Sequence, residues 1–455
     1  MNYRKNKNTS FCEQLEQLIG VENIQNYIPL YNRFFKMNDT NWNSINLDHP
    51  PMKKIDEKDD ELYMNGKPLF FKFSPLLDPL KYLTGSYESY DNTLPTLRTS
   101  PHPKMADVNN SSYVDGFFYY LSNLLLNQGF IHGTLFHGSF LGIKKDFLYD
   151  ISEEIDHLED SDFFHKNRGT LFELDQEYHF SDSRKNKEPV ILSDEIVELE
   201  FDSLDDISIQ SSKDSLCYNL HAVIKQFPVQ IIAMEKYEDT LDSYLDDMNT
   251  EELTSCLMQI IMMLITYQKV FAFIHNDLHT NNIMYVSTEL THLTYCFQGT
   301  YYKVPTFGKL YKIIDYGRSI YSFQGNRFVS DSFHQEGDAG TQYNLEPFFN
   351  CAEPPIDPNP SFDLCRLACS ILEGYEEDED IFKVLEEWTH DDAGESVLFK
   401  DGIERYPEFE LYRMIARTVH NHTPVTQLTR PQFAQFKCEP CECMNIDNYT
   451  SLFSN

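Results

Sequence analysis

The chain has 455 residues, a formal net charge of −35 and 41% hydrophobic residues, among them 34 Phe and 28 Tyr. That length allows two or three domain-sized units, and the apolar content argues for a folded protein with a large core. The acidity weighs against nonspecific nucleic-acid binding or an anionic-membrane role, because phosphates would be repelled.

Residues 11–36 carry apolar side chains at helical spacing (Leu15, Leu18, Ile19, Ile24, Tyr27, Ile28) and predict a helical N-terminal extension packed on the body. A loop rich in Asn, Asp and Pro follows. Glu61 to Phe73 reads as two strands joined by the Asn65-Gly66 turn. Lys72 stands on the second strand among aromatic neighbours, either as an edge-strand lysine facing water or as a ligand for phosphate. Residues 109–127 predict a helix with Tyr113, Phe117, Tyr120, Leu121 and Leu124 on one face, and Leu135 to Ile143 the next strand.

Residues 144–226 form a dense acidic interruption, with some strand-like alternation at Ile196, Leu199 and Phe201. A solvated surface is the simpler reading; a docking surface for a basic protein partner is the alternative. Val229 to Tyr237 is a buried apolar run ending in a polar turn, and Thr240 starts a short helix as its cap. Glu251 to Phe271 predicts a long helix, apolar nearly all round. Gln259, Gln268 and Lys269 favour a buried helix over a membrane span there, so no membrane partner is expected.

The next stretch carries the chemistry. His275-Asn276-Asp277-Leu278-His279-Thr280-Asn281-Asn282 sets a carboxylate five positions before an asparagine, between apolar flanks. Phosphoryl transfer to a hydroxyl needs one carboxylate to orient the acceptor proton and a neutral oxygen to help hold magnesium on the nucleotide phosphates. Asp277 suits the first role and Asn282 the second. After an extra hairpin predicted over Leu293 to Lys312, the run Lys312-Ile313-Ile314-Asp315-Tyr316-Gly317 supplies a second carboxylate. Asp315 would be the main magnesium ligand, with Gly317 letting the backbone turn sharply after it.

These two motifs resemble the catalytic loop and the metal-binding D-F-G motif of protein kinases, with Tyr316 in the phenylalanine position. His279 in place of the usual lysine is similar to haspin-type atypical kinases and to the aminoglycoside-phosphotransferase branch. The segments Phe71 to Pro79, Tyr302 to Lys309 and Pro360 to Cys365 look like those of kinase-like proteins of large cytoplasmic DNA viruses. The resemblance implies an α+β, bilobal kinase-like fold. Its parts would be an extension over 1–60, a β-rich lobe over 61–236 with the insert 144–226, a helical lobe over 237–430 and a tail over 431–455.

It further implies ATP and Mg2+ as cofactors, with Lys72 on the nucleotide phosphates. Met234 would stand at the back of the adenine pocket, and Glu235 to Tyr237 would span the hinge. His279 would contact the γ-phosphate or be satisfied within its loop, and His275 would anchor that loop. Ser361 would cap the helix from Phe362, and Asp363 resembles the aspartate that braces the catalytic loop from below.

Two departures stand out. No G-x-G-x-x-G precedes Lys72, and the 109–127 helix has no glutamate to lock that lysine. Asp115, the only acid there, is one methylene shorter, which puts the lock in question. Residues 318–352 would be an activation segment. Asn276 replaces the arginine that answers a loop phosphate, so phosphorylation of that segment is not expected to be the main switch.

The expected function is a serine/threonine protein kinase with a protein substrate. A small-molecule kinase and an inactive scaffold are the alternatives. Ten scattered cysteines and no signal-peptide pattern point to a cytoplasmic setting, host or virion, with reduced thiols. Cys438-x-x-Cys441-x-Cys443 offers only three metal ligands with no His nearby, and reads as an acidic tail.

Overall fold

A computed structural model describes residues 3–5, 9–47, 55–59, 61–176, 178, 220–372, 380–400 and 402–449. The strand-like alternation noted around 196–201 lies outside them.

The chain is mixed α+β. Helix α1 (Thr9–Ile19) is followed by strand β1 (Val21–Gln25), so the helix expected over 11–36 is shorter than predicted. Gly20, at φ +62°, ends it in the left-handed region that glycine tolerates best, and the chain turns into the sheet.

Strands β2 (Ile55–Lys58), β3 (Glu61–Met64) and β4 (Lys67–Pro75) then run antiparallel, β3 and β4 joined through Asn65 and Gly66, both at positive φ. Helix α2 (Ser111–Leu126) leads to β5 (Phe136–Asp150), and after β6 (Phe172–Leu174) comes β7 (His221–Glu235). The seven strands form one antiparallel sheet in the order β1-β5-β7-β4-β3-β2, with β6 on β7. Strands β5 and β7 are each fifteen residues long and stay paired out to Asp150 and His221. The ends of the predicted acidic interruption are therefore regular sheet, because alternate residues such as Phe147, Ala222 and Ile224 remain buried.

Helix α3 (Thr250–Phe271) starts with a capping box between Asn249 and Glu252 and is buried along nearly its whole length. Around it lie two smaller sheets. In one, β8 (Asp239–Thr240), β9 (Ile283–Ser287) and β12 (Lys309–Ile313) pair antiparallel. In the other, the hairpin of β10 (His292–Phe297) and β11 (Thr300–Pro305) is flanked by β15 (Lys437–Cys438) and β16 (Met444–Asn445). Residues 437–449 are thus built into the body rather than appended as a tail.

A further hairpin, β13 (Ile320–Phe323) and β14 (Asn326–Val329), follows Gly317. Helices α4 (Phe362–Leu372), α5 (Asp380–Trp388) and α6 (Phe409–Thr418) are the longer elements after it. Ser361 stands before α4, and its hydroxyl accepts the His422 amide.

Candidate active site

Strand β4 lies inside the sheet, between β3 and β7, so Lys72 is not an edge residue; it faces Ile232 across the ladder. Its Nζ is 2.7 Å from Asp115 Oδ2 and 2.9 Å from Asp315 Oδ1. The doubt over Asp115 is overturned: the shorter acid reaches the lysine because α2 sits close to the sheet. Asn110 and Ser112 tie the start of the helix to the carbonyls of Leu76 and Pro75 at the end of β4. One residue past Asp115, a Cβ on Gly116 would stand 2.0 Å from Gln230 Nε2 on β7. A larger residue at Gly116 would have to move the Gln230 side chain.

Asp115 is 1% exposed and also accepts from Ser74 Oγ (3.0 Å) and from the Tyr316 amide (2.8 Å). Burial raises its carboxyl above the usual range, and the Asp315 charge adds to that against the pull of Lys72. Burial opposes the charge on Lys72, but the two carboxylates hold its ammonium well above the ordinary lysine range. Burial likewise works against Asp315, yet Lys72 overrides it and holds the acid down at about 2.

The backbone around Asp315 is clamped to α2. Its amide donates to Tyr119 OH at 3.0 Å, and the Tyr316 ring packs among Phe118, Tyr119 and Phe273. The sharp turn expected at Gly317 falls at Asp315 itself, which has φ +60°. Gly317 instead offers its amide to Asp315 Oδ1 at 3.4 Å.

The register of β9 against β12 sets Asn282 beside Asp315. Ile283 lies opposite Ile313, so the residue before β9 and the one two positions after β12 emerge at the same end. The Ile314 amide closes that end on Asn282 O (3.0 Å), and His275 Nε2 bonds Ile314 O (2.8 Å). His275 Nδ1 accepts the Asp277 amide, so this ring holds the loop together as expected. Beneath the loop, Asp363 takes the amides of His275 (3.0 Å) and Asn276 (2.9 Å) on its two oxygens.

Asn282 Nδ2 donates to Asp277 O (2.8 Å) and contacts His279 Nε2 (3.0 Å). An amide nitrogen only donates, so Nε2 accepts and the ring carries its proton on Nδ1. Burial pushes His279 below the ordinary histidine range, which suits this neutral form. Its imidazole is satisfied within the loop. Both protons of Asn282 Nδ2 are engaged, and Oδ1 is the ligand atom left to it.

The Asp277 carboxylate has two neighbours the sequence did not suggest. Tyr412 OH on α6 donates to Oδ1 at 2.8 Å, and Arg318 Nη1 lies 3.5 Å from Oδ2. Arg318 also pairs with Asp338 at 2.8 Å. Asn276, at φ +64°, bonds Arg318 O and accepts from Tyr343 OH. Among the hydroxyls of the 318–352 segment, Ser319 and Ser330 are fully buried and Ser332 is 7% exposed.

At the end of β7, Met234 is buried and the Glu235 carboxylate accepts the Leu135 amide (2.8 Å) and Lys312 Nζ (3.3 Å). The Glu235 and Lys236 amides donate to Leu135 O and Pro68 O. Tyr237 OH turns inward to Thr134 at 2.8 Å. The structure therefore gathers Lys72, Asp115 and Asp315 in direct contact, and Asp277, His279 and Asn282 in one loop. Met234 and Glu235 end β7 with Tyr237 two residues beyond, and Glu235 is joined to this group through Lys312, three residues before Asp315. Tyr412 is far from Asp277 in sequence and no local pattern marks it; Arg318, next to Gly317, could have been suspected.

No known protein-family model matches this chain. Over 130 residues it is 28% identical to a protein of frog virus 3 (isolate Goorha) named "Putative serine/threonine-protein kinase 019R". That stretch covers 25% of this chain and 15% of the relative's length. The likeness supports a distant viral, kinase-like relationship.

Proposed function

We propose that this chain is an ATP- and Mg2+-dependent kinase of bilobal fold that transfers the γ-phosphate to serine or threonine hydroxyls of a protein substrate. The observation that carries the reading is Lys72 held between Asp115 and Asp315, a lysine on a central strand fixed by one acid from helix α2 and one from the turn after β12. Lys72 would hold nucleotide phosphates, and Asp315 with Asn282 Oδ1 would hold magnesium. The metal supplies charge neutralisation on the transferring phosphoryl group. Met234 and the backbone of Tyr237 would border adenine, since the amides of Glu235 and Lys236 are already used.

Asp277 would orient the acceptor hydroxyl. His279 acts here through Asn282 rather than on the γ-phosphate. The setting proposed is the cytoplasm of an infected cell or the virion, without nucleic-acid or membrane partners.

The test is transfer of radiolabelled phosphate from ATP with magnesium, for the native chain and for Asp277→Ala and Asp315→Ala. Loss of a positioned base costs roughly 10²–10⁴-fold, so labelled protein that vanishes in both variants supports the reading. Nucleotide binding without transfer would favour the inactive scaffold, and labelling of small hydroxylic compounds alone would favour a small-molecule kinase.

A further inference from the structure

The hairpin of β10 and β11 is embraced by one short segment. Residues 437–438 pair with β11 along one edge, and residues 444–445 pair with β10 along the other. The intervening residues cross the outer face of the hairpin, where Thr294 Oγ1 donates to Glu442 O at 2.7 Å. Strands of two residues are too short to hold alone, and the crossing between them is the stretch where a further link would add most.

The register brings cysteines to that face, and Cys441 lies on the crossing segment itself. Cys296 lies opposite Tyr301, and Tyr301 opposite Cys438. Residues directly opposite in a ladder share a face. Cys296 also lies beside Asn445, and Cys443, two residues earlier, falls on the same side. Cys441 is the neighbour that acts on the Cys438 thiol, and Cys296, Cys441 and Cys438 all act on that of Cys443.

We propose that Cys296, Cys438, Cys441 and Cys443 form a four-thiolate structural zinc site that rivets residues 437–445 to the hairpin. The three-cysteine cluster seen in the sequence lacked a ligand, and Cys296, remote in sequence, supplies it. Four sulfurs with a C-x-x-C pair suit tetrahedral Zn2+ at about 2.3 Å per bond. Among the described residues no three metal-ligating side chains already share one centre, so the ion would draw the four sulfurs together by side-chain rotation. Four S–H bonds give way to four Zn–S bonds, with the protons released to buffer and no change of oxidation state.

The experiment uses the full chain, made in zinc-supplemented medium and purified in reductant without chelator. Elemental analysis should find one zinc per chain. Cobalt(II) added to the metal-stripped protein should give strong thiolate-to-cobalt absorption in the near ultraviolet. Cys296→Ser and Cys441→Ser should lose most of the zinc, whereas Cys351→Ser, at an exposed cysteine outside this sheet, should keep it. The proposal is overturned by absence of zinc and of cobalt–thiolate absorption, by full zinc retention in Cys296→Ser, or by disulfides among the four in the unreduced chain. Should Cys296→Ser fail to fold, the intensity of the native cobalt spectrum, which distinguishes four thiolates from three, decides.

Discussion

A buried carboxylate is tolerated only when its oxygens are supplied with donors, and Asp115 has three: Lys72, Ser74 and the Tyr316 amide. Removing it strands an ammonium and two dipoles. Asp115→Ala is expected to cost about 3 kcal/mol, the low end for breaking a buried pair because Lys72 keeps Asp315; urea unfolding measures it. Tyr412 acts in the opposite sense, since its hydroxyl occupies the Asp277 oxygen that an acceptor hydroxyl would use. On the proposed reading, Tyr412→Phe is expected to raise kcat/KM for a protein substrate several-fold with KM for ATP unchanged, and steady-state kinetics would show it. Asp363 carries a pH dependence. Burial lifts its carboxyl to about 7 despite two backbone donors. The folded protein then keeps a proton that the unfolded chain releases near pH 4. This group's stabilisation is complete below that value and is lost as pH rises through about 7. Unfolding midpoints compared at about pH 5 and about pH 8 should fall for the native chain, and the fall should be smaller in Asp363→Asn by a few kcal/mol. The individual acids were legible in the sequence because their motifs are local. Tyr412 was not, because its contact exists only once α6 packs under the loop.

At the scale of elements, glycine decides how closely α2 can approach its neighbours. A Cβ on Gly133 would lie 2.4 Å from Ser122 O and 2.9 Å from the Leu126 amide, both backbone atoms of α2 that cannot swing aside. Gly133→Ala is expected to push the helix end away and cost about 1–3 kcal/mol, read as a lowered thermal midpoint. Because α2 also carries Asp115 and Tyr119, the same change should weaken the clamp on Asp315. Helix α3, β7 and the β10–β11 hairpin were readable from apolar runs and turn residues. The helix predicted through residue 36 was not, because apolar spacing around Ile24, Tyr27 and Ile28 fits either period until Gly20 fixes the break. The length of β5 and β7 was hidden because charged and polar residues such as Lys145, Asp146, Lys225 and Gln226 interrupt the apolar run there.

The whole molecule is bound together from both sides of the sequence. Strand β1 extends the main sheet, and Phe34 stacks on Phe117 of α2 (5.1 Å) and on Phe328 of β14 (5.9 Å). Deleting residues 1–47 is expected to yield aggregated protein rather than a smaller active body, which size-exclusion chromatography would reveal. Residues 437–449 do the same for the other half: Lys269 of α3 forms an ion pair with Asp447, and Phe130 meets Tyr449 edge-on at 5.8 Å. This arrangement has a consequence for synthesis on the ribosome. Helix α3 emerges early, apolar nearly all round, while the residues that finish its cover come almost two hundred positions later. At about 5–20 residues per second that interval is on the order of ten to some tens of seconds. The nascent chain would spend it with one side of an apolar helix still lacking its last cover, and folding in a cell-free translation system should respond to added chaperones.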